Sequence, residues 1–436
     1  MNLKNILAID FLLLFAALIL TVFGVLFIYS SGTDASGTVI SDEYARQIVF
    51  GALGLIGALA ISLANYRRIY NLSLYFYLGA VLLIAYTLIA GRDINGTRAW
   101  IGVGYFGIQP SEFAKITTIL FLAWYLDFSR RSTSDLKRFF ISLIIVFTPM
   151  LLILLQPDFG TSLVFIPILL VMTFVAGISV RYILFLSLLI GLSGLIFLVP
   201  YWQKNVLKIS ITAFTMLGNI RFIVLVSVFL GIIFAIAFFG YMRYSKRYFY
   251  WIDYVSLLII MSLFTAWGMG KILKEYQINR LIVFIDPYVD PRGAGWHIIQ
   301  SVTAIGSGGT FGKGYMQGTQ SHYRFLPTQS TDFIFSIFSE EWGFLGGALV
   351  FILFLTICLR LLKIVRSTAD PFGCYIATGL SAMYIFHFLI NVGMAMGIMP
   401  ITGIPLLFMS YGGSALLSAM AGIGIALSIY VRRFQF

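Results

Sequence analysis

Cysteine is nearly absent from this chain, with two among 436 residues, and neither has a CxxC partner or a histidine at metal-ligand spacing. That excludes a disulfide framework and a zinc site, and Cys358 and Cys374, in or beside apolar runs, read as packing residues. Histidine is as scarce: His297, His322 and His387 have no spacing that would put two imidazoles on one metal, and no motif gives any of them a catalytic role. Charge is scarce too. Charged residues make up 11% of the chain and hydrophobic residues 60%, whereas a soluble domain carries about 25% charged residues. No charge-rich stretch is long enough for a separate soluble domain, so disordered, secreted and nucleic-acid-binding classes lose their basis. What remains, with a mean hydropathy of +0.96, is an all-α polytopic membrane protein forming a single integral membrane domain over residues 1–436.

A helix needs roughly 20 apolar residues to cross a bilayer. That rule marks twelve spans, near 8–30, 47–65, 72–91, 111–127, 138–156, 159–179, 181–201, 221–241, 251–271, 332–359, 371–396 and 404–431. The first run, after the single basic residue Lys4, exceeds a signal-peptide core and reads as a retained anchor. The net charge of +12 would suggest nucleic acid in a soluble protein, but the Lys and Arg residues sit where topology wants them. With a cytoplasmic N-terminus, the inward loops collect Arg67 and Arg68, Arg130 to Arg138, Arg181, Arg243 to Arg247, Arg360 to Arg366, and Arg432 and Arg433. Both termini therefore read as cytoplasmic. Ser31 to Arg46, Arg92 to Pro110 and the large loop 272–331 then lie outside. Loops that long in a compact fold are functional or disordered, and the aromatics interleaved with glycine here argue against disorder.

Charges in apolar spans cost several kcal/mol, so each needs an account. Glu112 and Lys115 in PSEFAKITTILF are three apart and share a helix face, where they can pair, as a structural ion pair or as working groups. Asp158 in LLQPDFGTS sits between two apolar runs, and an N-cap explains it as readily as chemistry. In STDFIFSIFSEEWGF, Asp332, Ser336 and Glu340 follow an i, i+4, i+8 pattern that lines one face of a helix entering the membrane. A carboxylate at the rim of a low-dielectric cavity can be tuned to deprotonate a hydroxyl; N-capping by Thr331 or Asp332 is the competing account. The Gly- and Pro-broken stretch NVGMAMGIMPITGIPLLFMSYGGS keeps Asn391, Thr402, Ser410 and Tyr411 at membrane depth, where irregular backbone must line protein or water. The basic, aromatic cluster Met242 to Trp251 reads as an interfacial anchor.

Eight motifs occur in order: NGTRAWI (Asn95 to Ile101), QPSEFAK (Gln109 to Lys115), LLQPDFGTS, YQINR (Tyr276 to Arg280), DPYVDPRGAGWHIIQS, GSGG with GKGYMQGTQS, FLPTQSTDFIFSIFSEEWGF and the broken stretch just quoted. On these the chain resembles the SEDS family of shape, elongation, division and sporulation proteins, and within it the cell-elongation branch. The resemblance implies a SEDS-type helical bundle and a peptidoglycan glycosyltransferase of the bacterial cytoplasmic membrane that polymerises lipid II on the outer face during elongation and rod-shape maintenance. It implies partnership with a class B penicillin-binding protein and with membrane proteins of the elongation complex, and no nucleic acid. By motif, Asp332 corresponds to the essential cavity carboxylate, and Glu112 and Lys115 to a pair lining that cavity. Asp332 is then the general base that takes the proton of the acceptor's GlcNAc 4-hydroxyl. Arg98, Glu112, Lys115, Arg280, Lys313, Gln320 and Ser410 are candidates for the substrate and its diphosphate, with Asp158, Glu340 and Asn391 supporting the cavity. Phosphate chemistry and the resemblance imply a divalent cation, Mg or Mn, with no ligand cage visible. Two departures stand out. The family has about ten spans, so two of the twelve read as an insertion over 205–271, and Leu407 stands where the family commonly has proline. A lipid II flippase and a non-catalytic scaffold are the alternatives.

Overall fold

The computed structural model describes residues 9–94, 97–103, 106–131, 133–209 and 211–434. Lys4, and Asn95 and Gly96 of the NGTRAWI motif, lie outside the described residues. In chain order the elements begin with α1 (Phe11–Ser31), α2 (Glu43–Leu63) and α3 (Arg67–Ala90). A small sheet follows, of β1 (Arg92–Ile94), β2 (Thr97–Val103) and β3 (Phe106–Ile108), antiparallel in the order β1-β2-β3. Next come α4 (Pro110–Phe128), α5 (Asp135–Leu155), α6 (Phe159–Leu163), α7 (Phe165–Val175), α8 (Val180–Trp202), the short α9 (Thr212–Met216), α10 (Ile220–Tyr244) and α11 (Arg247–Ile272). The chain ends with α12 (Glu275–Ile285), α13 (Ala294–Ser307), α14 (Thr319–His322), α15 (Ile334–Ser367), α16 (Pro371–Ala395) and α17 (Gly413–Val431).

Among the described residues, 10 helices are long and apolar enough to cross a membrane. The remaining two expected spans are there in other forms. Helix α4 carries Glu112, Lys115 and Asp127 along its length, and the 159–179 run is broken into α6 and α7. Two boundaries differ from the sequence expectation. Residues 404–412 lie outside α17, because Pro405 and the positive φ of Phe408 (70°) do not continue a helix. Helix α15 runs on to Ser367, past a break at Gly343, whose φ of 65° and ψ of −161° only glycine adopts without strain. Within Arg92 to Pro110, expected on the outer face, the described residues form the three strands β1, β2 and β3.

The chain divides into two compact units, 1–178 with 300–436, and 179–299. In the larger, α16 and α17 form the core: 67% and 78% of their apolar stretches are buried. Helix α17 packs on α2, and α16 on α4, α7 and α15. One end of this unit is tied by arginines. Arg432 donates to the Ser62 and Leu63 carbonyls, and Arg138 to those of Leu126 and Ala176, filling acceptors that helix ends leave open. Arg360 pairs with Asp10, and Arg67 and Tyr66 with Asp370. The polar motifs gather at the opposite end. In the smaller unit α10 packs on α11, while α8, α11 and α12 meet around Phe197, Ala266, Ile278 and Ile282. The helices of the 205–271 stretch thus belong to a unit wider than that stretch. The expected 272–331 loop contains α12, α13 and α14 and is shared between the two units.

Candidate active site at the polar end of the larger unit

Helix α4 opens with proline in its first turn and Glu112 beside its positive end, an arrangement the helix dipole favours. The Glu112–Lys115 pair expected from the spacing is made, with Lys115 Nζ 2.8 Å from Glu112 Oε2 and both side chains buried. Lys115 Nζ also lies 3.1 Å from His387 Nε2, and His387 Nδ1 lies 3.1 Å from the Pro405 carbonyl oxygen. The sequence motifs give His387 no role. Its signal was present: it stands four residues before Asn391 on α16, so the two share a helix face.

Asp332 does not occupy the cap position of α15, which Phe333 holds; it stands half-buried just before it. Its backbone is fixed from several sides. The Asp332 N–H donates to the Thr328 carbonyl, and Asn391 Nδ2 donates to the carbonyls of Asp332 (2.9 Å) and Ile404 (2.8 Å). Ser410 Oγ donates to the Thr331 carbonyl at 2.5 Å and accepts from the Leu406 N–H, while the Tyr411 N–H donates to the Ser330 carbonyl. The Asp332 carboxylate faces Gly403, where a Cβ would stand 3.7 Å from Oδ2 and where φ is +74°. On the far side of this segment, Gly160 packs on the Thr402 carbonyl. Asp158 caps α6, accepting from the Thr161 N–H as the capping account expects, and also accepts from Gln109 Nε2. Burial raises the Asp158 carboxyl above the usual range, and the Glu112 charge adds to this, against the Thr161 bonds and Lys115.

Several other candidates hold the frame together. Glu340 has no exposed surface, and its carboxylate accepts from Lys313 Nζ of the glycine-rich loop (2.7 Å), from the Thr319 N–H and Oγ, and from the Gln320 N–H. Glu341 accepts from Ser30 Oγ (2.5 Å) and the Met316 N–H (2.9 Å). Two buried carboxylates thus clasp the loop 313–320 onto α15 beside the Gly343 break. Lys313 and the Gln320 backbone, expected near substrate, and Glu340, expected to support the cavity, are engaged in this clasp. The polar stripe ends in the same way, with Ser336 Oγ donating to Ser301 Oγ, which donates to the Ala395 carbonyl. The Ser410 hydroxyl is likewise engaged as a staple, donating to the Thr331 carbonyl and accepting from the Leu406 N–H. Arg98 is exposed on β2, opposite Asp93. Arg280, in the smaller unit, lies over the Tyr276 ring, 5.6 Å from its centroid. Burial holds His297 below its usual range, and the Arg280 charge adds to this.

Among the described residues no three carboxylate, imidazole or thiolate groups cluster as a metal site. The residues flanking Asp332 do carry two buried oxygens without a partner, Asn391 Oδ1 and Thr402 Oγ1. A carboxylate with neutral oxygens is the donor type that Mg-like ions accept, completed by water and phosphate.

The family model described as "Cell cycle protein", FTSW_RODA_SPOVE, matches residues 10–217 and 221–434. The chain is 48% identical over 434 residues to a peptidoglycan glycosyltransferase RodA of Treponema pallidum, covering 99% of this chain and 100% of the relative. It is 32% identical to the peptidoglycan glycosyltransferase MrdB of Escherichia coli K12, covering 97% and 93%. Among solved structures it is similar, with a TM-score of 0.67 and 27% identity over 99% of this chain and 100% of the other, to a chain from a study of how a peptidoglycan synthase complex coordinates polymerization and crosslinking.

Proposed function

The chain belongs to the FtsW, RodA and SpoVE family of cell cycle proteins, and from that premise we propose how it works. It is a multi-pass membrane peptidoglycan glycosyltransferase. The reaction we assign to its polar end is the polymerisation of lipid II. Asp332 accepts the proton of the acceptor's GlcNAc 4-hydroxyl, whose oxygen attacks the anomeric carbon of the growing chain. The bond from that carbon to the polyprenyl diphosphate breaks, and the configuration inverts. The observation that carries this reading is the setting of Asp332: unlike Glu112, Glu340 and Glu341 it is partly exposed, unlike Asp158 it caps no helix, and its backbone is fixed by Asn391 and the Ser410 staple.

The leaving diphosphate needs positive charge. Lys115, held by Glu112 and His387, supplies a fixed cation at this end, while Arg98, exposed on β2, is a second cation for the substrate. When bound, a divalent ion supplies further charge to the diphosphate, with Asp332, Asn391 Oδ1 and Thr402 Oγ1 as the residues to hold it. The polar end then faces outward and the arginine-tied end the cytoplasm, with both termini inside a bacterial cytoplasmic membrane. A class B penicillin-binding protein, within the elongation complex, is the partner that would crosslink the strands.

The test is polymerisation of purified lipid II by the full chain, with and without that partner, in a divalent ion. Wild type forms glycan ladders and Asp332→Asn, equally folded, forms none. Normal ladders from Asp332→Asn overturn the assignment of the base.

A further inference from the structure

We propose that His387 is a positioning residue that couples the Lys115 cation to the segment 400–405 bordering Asp332. The Pro405 carbonyl can only accept a hydrogen bond, so His387 Nδ1, 3.1 Å away, carries the ring proton. An ammonium can only donate, so His387 Nε2, 3.1 Å from Lys115 Nζ, is the acceptor. The ring is therefore neutral, since a proton on Nε2 would set a second cation against the ammonium in a buried site. Lys115 thereby gives one N–H to Glu112 and one to His387, which fixes the position of its charge.

The register on α16 ties the same ring to the base. His387 and Asn391 are one turn apart, and they bind successive residues of one segment, His387 the Pro405 carbonyl and Asn391 the Ile404 carbonyl. Asn391 also binds the Asp332 carbonyl, and Gly403 of the same segment faces the Asp332 carboxylate. One helix face thus sets the separation of the cation and the base. The coupling acts through Lys115 and touches no reacting atom.

The proposal rests on the reading of Lys115 as the cation of the site, and its test separates the two. Lipid II polymerisation is measured for wild type, His387→Gln, His387→Leu, Lys115→Met and the His387→Leu/Lys115→Met double variant, with thermal unfolding of each. Glutamine keeps one donor and one acceptor and retains activity within about threefold, whereas leucine lowers kcat about tenfold or more with KM unchanged. In the Lys115→Met background the leucine substitution costs nothing further, which a merely structural role would not produce. An equal loss in both backgrounds, or full activity of His387→Leu, overturns the coupling. Full activity of Lys115→Met overturns the reading beneath it. Nitrogen-15 spectra of histidine-labelled wild type give a readout that needs no variant to fold: the neutral, Nδ1-protonated ring is expected at His387, and the other tautomer or the imidazolium overturns the proposal.

Discussion

Glu340 and Asp332 stand eight residues apart in one sequence motif, yet the fold treats them oppositely. Glu340 is fully enclosed and receives donors from Lys313, Thr319 and Gln320, so its charge is compensated within the frame. Asp332 is a half-buried residue whose backbone is held and whose carboxylate faces a glycine. A carboxylate becomes part of the frame when it is enclosed and donors converge on its oxygens; one whose backbone is pinned at a partly open rim is placed to meet a substrate. Lys115 lies between these cases, enclosed and paired like Glu340 but placed next to the segment that borders Asp332.

Substitutions at the two positions should separate activity from stability. Asp332→Asn is expected to lower polymerisation by about 100-fold or more at an unchanged unfolding midpoint, measured by glycan ladders and a thermal melt. Glu340→Ala reverses the pattern: it leaves Lys313 and two backbone N–H groups without their acceptor and should cost about 3 kcal/mol, read as a lowered unfolding midpoint. If Glu340→Ala melts as wild type does but makes no polymer, the contrast between the two residues fails. Gly403→Ala sharpens it, because alanine at a φ of +74° costs about 1–2 kcal/mol and displaces the segment facing the base. Its activity should fall about tenfold, more than its stability explains. Arg67→Ala, at the opposite end, should change stability by less than about 1 kcal/mol and polymerisation not at all. Arg67 is partly exposed, and Asp370 keeps its bonds to Tyr66 and the Gly373 N–H.

Spacing alone made the Glu112–Lys115 pair legible, because three residues on a helix bring side chains together whatever the rest of the chain does. The cap at Asp158 was legible for the same local reason. The i, i+4, i+8 reading of Asp332, Ser336 and Glu340 was half right: Ser336 and Glu340 lie on one helix, but α15 begins after Asp332. Lys313 and Gln320 were placed with substrate on charge and motif, and their engagement by Glu340 depends on a chain reversal that spacing does not encode. His387 had no assigned role because its partners, Lys115 and Pro405, lie 272 and 18 residues away.

The sequence by itself determined the membrane class, the helical spans and the pairings within a helical turn, since hydropathy over about 20 residues and the 3.6-residue period are local properties. The tertiary structure decided which charged groups are enclosed in the frame and which stands at a partly open rim. Whether an acceptor is satisfied depends on donors arriving from distant segments, and only the packed chain brings those donors within about 3 Å of it.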